Sequence, residues 1–345
     1  MERLAQDASA LAIDQVPLAT RHRCALNLAA NDEAPATEIP VHIIVGSKRL
    51  PRLALIAGVH GDEYDGILAL HEIARDWAPR DLMGTVIVVP VANPFAFAAA
   101  QRRTPQDDKD LNRVFPGTSN GSLSERLAHL LAAGLLLQTD LVFSLHGSAS
   151  PGRLAPWLEF FDRPDQVGTA SYAAALASGF LDLIALPALP GTLQTAMGEL
   201  GVPVIEGEVG GRGAARRENV EYYKGRALAV ARHLGILGNA ETAAPTGHRV
   251  WHLHSIETDA TGIFLREVEL GAPVHAGDLL ARVADIHGRV VATVRAPADG
   301  VIGYHRVHAG VRPGDRLFTL WVSAVPRVSR PADLRAPNPT EATPQ

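Results

Sequence analysis

In the first part of this chain, apolar residues form short unbroken runs, and longer amphipathic segments lie between these runs. The runs are RLALIAGVH (52–60), TVIVVPVAN (85–93), DLVFSLH (140–146) and VPVIEGEV (202–209). Continuous runs rich in branched residues are typical of strands buried on both faces of a sheet. The pattern therefore predicts a central sheet built from these segments.

Between the runs, apolar residues recur every three to four positions, as expected for helices that bury one face. This spacing is seen at Ile67, Leu70, Ala74 and Trp77, and helices are also predicted in 122–138 and 220–237. Alternating strands and helices predict an α/β fold with a mixed, mostly parallel sheet and helices on both faces.

The domain organisation follows from where this alternation begins and ends. Residues 1–40 show no strong period and are predicted to be an N-terminal extension at the sheet edge, and 41–244 form the predicted α/β domain. From 245 to 325 the runs are short and the turns are rich in Gly and Pro, which predicts a small all-β domain. The Pro-rich tail, 326–345, is predicted to be disordered.

An internal repeat, V-x-x-G-D-x-L, occurs at 274–280 and again at 311–317. The pattern resembles the barrel-sandwich fold of biotinyl and lipoyl domains, in which two similar halves face each other. Those carrier domains need a lysine to hold their cofactor, and no lysine follows Lys224. The sequence therefore predicts a barrel-sandwich domain without a carrier role.

Composition and charge argue against several classes of partner and site. The 345 residues include 32 Lys and Arg against 37 Asp and Glu, a net charge of −5, which argues against a nucleic-acid partner. A single cysteine, Cys24, excludes an intramolecular disulfide and a cysteine-based zinc site. The N-terminus lacks a cationic segment, and no apolar stretch approaches the roughly 20 residues of a membrane span. We therefore expect a cytoplasmic protein with no membrane partner.

Candidate chemistry lies where the predicted strands end, the edge at which open α/β sheets bind ligands. His60 and Glu63 follow one strand in a glycine-flanked turn, and His146 ends another. Two histidines and one glutamate are a common ligand set of catalytic zinc. The alternative is a solvated loop beside a structural histidine.

Two arginines, Arg102 and Arg103, and the pair Asn112-Arg113 lie between a predicted strand and a predicted helix. Guanidinium groups offer forked, permanently charged donors that suit a carboxylate or an oxyanion. The alternative is a solvated charged segment, with salt bridges to the aspartates that lie among these residues.

Glu206 and Glu208 end the strand of 202–209, just before a glycine turn. A carboxylate at this position could act as general base on a metal-bound water. Strand alternation places both side chains on the same face, so their spacing leaves both open as the base.

Four motifs, GVHGDE, DLNRVFPG, LHG and EVG, stand in this order along the chain. Together they resemble the succinylglutamate desuccinylase/aspartoacylase family, of the zinc carboxypeptidase-like fold, over roughly residues 40–325. The resemblance implies one Zn²⁺ bound by His60, Glu63 and His146. It also implies that Glu208, within E-V-G, is the general base, with Glu206 in reserve.

The resemblance further implies that Asn112 and Arg113 bind a carboxylate of the substrate. Arg102 matches best the arginine that polarises the scissile carbonyl, with Arg103 as the neighbouring alternative. Ser144 stands where family members often have an aspartate, so support for the neighbouring histidine must come from elsewhere. No motif assigns a role to the tyrosine of the β domain, Tyr304.

The working hypothesis is a zinc-dependent amidohydrolase. It would remove an acetyl, succinyl or similar group from a small N-acylated amino acid or amine. The alternatives are a zinc carboxypeptidase acting on short peptides and a metal-binding module without catalysis. The β domain could shape the cleft, or it could bury its apolar face against a second subunit. The second arrangement would make the protein a homo-oligomer.

Overall fold

The computed structural model describes residues 11–30, 32, 34–238 and 247–325, so the predicted tail lies outside the described residues. The N-terminal strands are β1 (Thr20–Leu28), β2 (Thr37–Val45), β3 (Arg52–Ala57), β4 (Thr85–Val89), β5 (Leu141–His146), β6 (Gly152–Phe161), β7 (Asp182–Leu186) and β8 (Val204–Gly211). The helices are α1 (Tyr64–Asp76), α2 (Pro94–Ala98), α3 (Leu123–Gly134), α4 (Gln166–Ala177), α5 (Leu193–Glu199) and α6 (Arg217–His233). Within the described ranges, no helix has the length and apolar character needed to span a bilayer.

These strands form one sheet in the order β1-β2-β4-β3-β5-β8-β6-β7. The pairs β4–β3, β3–β5 and β5–β8 are parallel, and so is β6–β7. The pairs β1–β2, β2–β4 and β8–β6 are antiparallel. The predicted mixed α/β architecture is confirmed. Four of these seven pairs are parallel and three are antiparallel, so the mostly parallel character of the sheet stays a prediction.

The described part of the predicted N-terminal extension contributes to this sheet. β1 is the edge strand and pairs antiparallel with β2, and β2 pairs with β4. Since β2 spans Thr37–Val45, it runs across the boundary expected at residues 40 and 41.

Each central strand packs against helices on both faces because its side chains alternate between them. Leu53 and Leu55 of β3 face a core that includes α1, α4 and α6, while Ala54 and Ile56 face a core that includes α3 and α5. All four side chains are fully buried. This two-sided burial explains why the sequence of β3 reads as an unbroken apolar run.

The strands after residue 247 belong to two sheets. They are β9 (Arg249–Glu257), β10 (Gly262–Arg266), β11 (Pro273–Val274), β12 (Leu279–Ala284), β13 (Val290–Arg295), β14 (Gly300–Arg306), β15 (Gly310–Val311) and β16 (Arg316–Ser323). β9, β16, β14 and β11 continue the large sheet, and β13-β12-β10-β15 form a second sheet of four strands. Phe264, Leu280 and Leu317 lie in the core that these strands share. The segment is all-β as expected, and its assignment to the barrel-sandwich fold stays a prediction.

Five strands close into a ring of hydrogen-bonded neighbours, β6–β7–β9–β16–β14 and back to β6. The outer edge of β6 pairs with β14 at Gly152–Leu154 and with β7 at Leu158–Phe161. An apolar cluster joins the strands of this ring and includes Trp157, Tyr304 and Trp321. The C-terminal strands are thus hydrogen-bonded directly to strands that precede residue 245.

Candidate active site

One face of the sheet changes from apolar to polar towards the ends of β5 and β8. Val142 and Val204 belong to the buried core on this face. Because side chains alternate between the two faces of a strand, the next residues on this face form two rows. Each row runs across β5, β8 and β6, with one residue from each strand. The rows are Ser144, Glu206 and Glu159, and then His146, Glu208 and Trp157.

The loop after β3 brings His60 and Glu63 to the same place. At Gly61 an added Cβ would lie 2.0 Å from the backbone carbonyl carbon of Ala96, so only glycine lets this loop pack against α2. Glu63 directly precedes α1. The tight turn therefore directs both side chains to the end of β5, where His146 lies.

The structure brings together the three residues predicted to bind metal. Nδ1 of His60 lies 2.9 Å from Oε1 of Glu63, and Nδ1 of His146 lies 3.1 Å from Oε2 of Glu63. The two Nδ1 atoms are 3.3 Å apart, and one ligand atom from each residue lies within 4.8 Å of the others. All three side chains are buried. The cluster can therefore present two imidazole nitrogens and a carboxylate oxygen to one cation.

The chemistry of these donors fits a metal ion. Nitrogen and carboxylate ligands in this number suit zinc and similar divalent transition metals. Burial would raise the pKa of Glu63, but the charge of His60 and the hydrogen bond from His146 lower it below its usual value. The backbone N–H of Gly147 also donates to Oε2 of Glu63 at 3.1 Å. The cluster thus holds its carboxylate in the ionised form that a metal requires.

Asp110 supports this cluster from outside, a role that the sequence did not predict. Its Oδ1 lies 3.1 Å from Nε2 of His60, and its Oδ2 accepts from Nε and Nη2 of Arg102 at 3.0 and 2.9 Å. Burial opposes ionisation, but the hydrogen bond from His60 and the charges of His60 and Arg102 lower the pKa of Asp110. The one feature of the sequence that could have indicated this role is the position of Asp110 as the first residue of the D-L-N-R motif.

The two neighbouring arginines have different surroundings. Nη1 of Arg102 lies 3.5 Å from Oε1 of Glu63 and 3.4 Å from Nδ1 of His60. Arg103 turns away and donates to the backbone oxygen of Asp108 at 2.7 Å. Both line the same cavity, but Arg102 lies beside the three predicted ligands.

The second ring nitrogen of His146 also has partners. Ser144 Oγ lies 2.8 Å from Nε2, and Oε1 of Glu206 lies 3.6 Å from the same atom. Asn112 Nδ2 is 3.5 Å from Oε1 of Glu206. Glu206 is therefore engaged with the histidine and the amide behind the cluster.

Asn112 and Arg113 both line the cavity, but their polar groups differ in availability. The side-chain oxygen of Asn112 accepts from the N–H of Leu193 at 2.7 Å, where α5 begins. Arg113 is exposed and donates through Nη1 to the backbone oxygen of Asn112 at 2.6 Å, with no salt bridge to the described residues. Arg113 thus keeps donors available, whereas Asn112 links α5 to β8.

Glu208 is placed differently from Glu206. It lines the cavity and has no hydrogen-bond partner among the residues that the structure describes. Burial, and next the charge of Glu63, raise its pKa well above the usual value of a glutamate. A carboxyl group without a partner and with a raised pKa, next to the cluster, is suited to accepting and returning a proton.

The cavity in front of these groups has a volume of about 620 Å³. Part of its wall comes from the C-terminal strands, at Leu253, Ser255, Glu257, Tyr304 and Arg316. The sequence placed none of these at the site, because they reach it only through the pairing of the C-terminal strands with β6 and β7.

Comparison with known proteins gives a consistent result. Residues 49–234 match the model of the succinylglutamate desuccinylase/aspartoacylase catalytic domain. The chain is 30% identical over 307 residues to N-alpha-acetyl-L-2,4-diaminobutyric acid deacetylase of Halomonas elongata, covering 84% of this chain and 88% of that protein. This similarity extends well beyond the matched domain.

Solved structures share the fold over nearly the whole length. The product-bound structure of the ectoine utilization protein EutE (DoeB) from Ruegeria pomeroyi superposes with a TM-score of 0.82 at 28% identity, covering 90% of this chain and 98% of that one. A succinylglutamate desuccinylase from Silicibacter sp. TM1040 gives 0.80 at 27% identity with the same coverage. This chain belongs to the succinylglutamate desuccinylase/aspartoacylase family.

Proposed function

We propose that this protein is a zinc-dependent deacylase that hydrolyses the amide bond of a small N-acylated amino acid. The observation that carries the proposal is the cluster of His60, Glu63 and His146 beside the carboxyl group of Glu208 in one cavity. The Halomonas relative, whose name gives an N-acetylated diamino acid as its substrate, supports a small amino acid derivative.

In this proposal His60, Glu63 and His146 hold the zinc ion. A zinc ion in this position supplies Lewis acidity, which polarises a carbonyl and makes water a better nucleophile at neutral pH. Asp110 fixes His60 through Nε2, and Ser144 fixes His146 in the same way. These contacts direct both Nδ1 atoms to the same point, since each ring's other nitrogen is already engaged.

Glu208 acts as the base and then as the acid. Its carboxylate accepts a proton from the attacking water as the C–O bond forms at the amide carbon. It then gives that proton to the nitrogen as the C–N bond breaks. The second proton of the water passes from the new carboxylic acid to the released amine. The products are therefore a carboxylate and an ammonium, and atoms and charges balance without a further reactant. A raised pKa suits this double role because the group must both take and release the proton near neutral pH.

Two arginines bind the charged parts of the substrate. The guanidinium of Arg102, next to Glu63, is placed to donate to the oxygen that gains negative charge in the tetrahedral intermediate. Arg113 reaches the cavity with free donors, which suits a substrate carboxylate. Asn112 then orders this region by joining α5 and β8.

Metal analysis combined with an amine-release assay tests this function. The zinc-loaded protein should release amines from N-acetyl, N-succinyl or N-formyl amino acids and act poorly on short peptides. Preferential cleavage of peptides would identify a carboxypeptidase. Stoichiometric zinc without turnover on the whole panel would identify a metal-binding module without catalysis.

A further inference from the structure

Two glutamates face each other across the floor of the cavity. Glu206 on β8 and Glu159 on β6 are directly opposite in the antiparallel register, with both side chains lining the cavity. Like charges in this arrangement repel each other, and more strongly where water is scarce. A pair of this kind needs nearby positive charge or hydrogen-bond donors.

Only one member of the pair lies within ion-pair distance of a basic side chain among the described residues. Glu206 lies 3.6 Å from Nε2 of His146 and also contacts the amide of Asn112. Glu159 accepts a hydrogen bond from Nε1 of Trp157 at 2.9 Å and has no salt bridge within the described part of the chain. Since its carboxylate can accept several further hydrogen bonds, it presents unused acceptor capacity to the cavity.

The lack of a salt-bridge partner for Glu159 among the described residues is reflected in its pKa. Burial, and next the charge of Glu206, raise the pKa of Glu159 to about 7. A cation bound here would offset both effects at once, because it would supply the opposite charge that the site lacks. The structure thus favours a positively charged group of the ligand at this point.

We propose that Glu159 binds a free ammonium group of the substrate, so that the enzyme acts on N-acylated diamino acids. This inference rests on the proposed deacylation and adds a specificity-determining residue to it. The ammonium would donate to the carboxylate of Glu159, while Glu208 and the metal ligands act on the amide. Trp157 positions Glu159 through its Nε1 hydrogen bond.

The spacing in the sheet suits a short substrate. β6 lies two strands away from β5, and Glu159 is two residues along β6 from Trp157, which belongs to the row of His146. These offsets place the Cα atoms of Glu159 and His146 about 12 Å apart. Both side chains extend into the cavity from these positions. The space between them suits a chain of a few carbons that joins the amide nitrogen to the ammonium.

A matched pair of substrates tests the inference. The side chains of Nα-acetyl-L-2,4-diaminobutyrate and N-acetyl-L-norvaline have the same number of non-hydrogen atoms, but only the first ends in an ammonium. The zinc-loaded enzyme should show kcat/KM about 10- to 100-fold higher for the first, the range expected for a hydrogen bond between charged groups. In Glu159→Gln this ratio should fall towards one, and Glu159→Asp should keep part of it.

Glu257→Gln is the control, because Glu257 is a glutamate in the same cavity that comes from β9. This variant should keep the wild-type ratio. A wild-type ratio near one, or a ratio that Glu159→Gln leaves unchanged, would overturn the inference even if both substrates are hydrolysed.

Binding of the free amino acids separates this inference from the proposed reaction. Calorimetry should show that L-2,4-diaminobutyrate binds more tightly than L-norvaline, and that Glu159→Gln removes the difference. If neither acetylated substrate is hydrolysed, the proposed deacylation fails, but this difference in binding would still support the ammonium site. Equal binding of the two amino acids to the wild type would contradict the site.

Discussion

Ser144 on β5 and Glu206 on β8 are opposite each other in the sheet, and both place a side-chain oxygen near Nε2 of His146. The hydroxyl oxygen of Ser144 is 2.8 Å from that atom, and Oε1 of Glu206 is 3.6 Å from it. Family members often have an aspartate at the position of Ser144. Here the carboxylate comes from the neighbouring strand, and the serine supplies the closer contact.

We expect Glu206→Gln to weaken zinc binding by about 10- to 100-fold, the effect typical of removing a carboxylate behind a histidine ligand. Competition with a chelator measures this affinity without reference to turnover. The double variant Ser144→Asp with Glu206→Gln should recover part of the loss, since it moves the charge to β5. Unchanged affinity in Glu206→Gln would show that Glu206 does not support His146.

Glu208→Gln should keep its zinc and lose turnover by about 100- to 10,000-fold, because the amide cannot accept the proton. Metal content by mass spectrometry and kcat on the best N-acyl amino acid test both parts. Near-normal turnover in this variant would remove Glu208 from the mechanism.

Replacing Arg102, which lies beside the three predicted metal ligands, should lower kcat more than replacing the neighbouring Arg103. Arg102→Ala should lower kcat by about 100- to 1,000-fold, as expected when a donor to a developing oxyanion is lost. Arg103→Ala is the matched control, because Arg103 contacts Asp108 instead of the cluster, and its kcat should change only a few-fold. Equal losses in the two variants would argue that Arg102 has no special part in the reaction.

The zinc-free protein should lose stability as the pH rises through the range in which Glu159 ionises. The pKa of this group is raised to about 7 when folded, so the folded state holds its proton more tightly than the unfolded state. The associated stability is present below the usual glutamate pKa and is lost as the pH approaches 8. Glu159→Gln should therefore be more stable than the wild type by about 1 kcal/mol at pH 8 and not at pH 4. Urea unfolding at both pH values measures this, and a pH-independent difference would contradict it.

Much of the fold could be predicted because the core strands are buried on both faces and read as apolar runs. The runs at 52–60 and 140–146 correspond to β3 and β5, and the predicted helices at 122–138 and 220–237 overlap α3 and α6. β6 is different. Its segment contains Gly152 and Pro156, and it pairs with distant strands, so local pattern alone did not single it out.

The candidate site shows the same limit. Motifs drew attention to His60, Glu63 and His146 as predicted metal ligands, because polar residues that directly follow apolar strands are visible in the local sequence. Spacing could not separate Glu206 from Glu208, since both lie on one face. The E-V-G motif favoured Glu208, and the structure adds that Glu206 contacts His146 and Asn112. Glu159 was not predicted, because the feature that distinguishes it is its position opposite Glu206 on another strand, which has no local signal in the sequence.

The ring of five strands bears on how the specificity of this protein can be changed. Because β9, β14 and β16 complete a ladder that β6 and β7 begin, the segment 247–325 cannot be exchanged as an independent module. Replacing that segment with one whose strands do not keep these pairings would shift β6, and with it the cavity residues that β6 carries. New specificities would then arise by point changes within an intact scaffold more readily than by shuffling of modules.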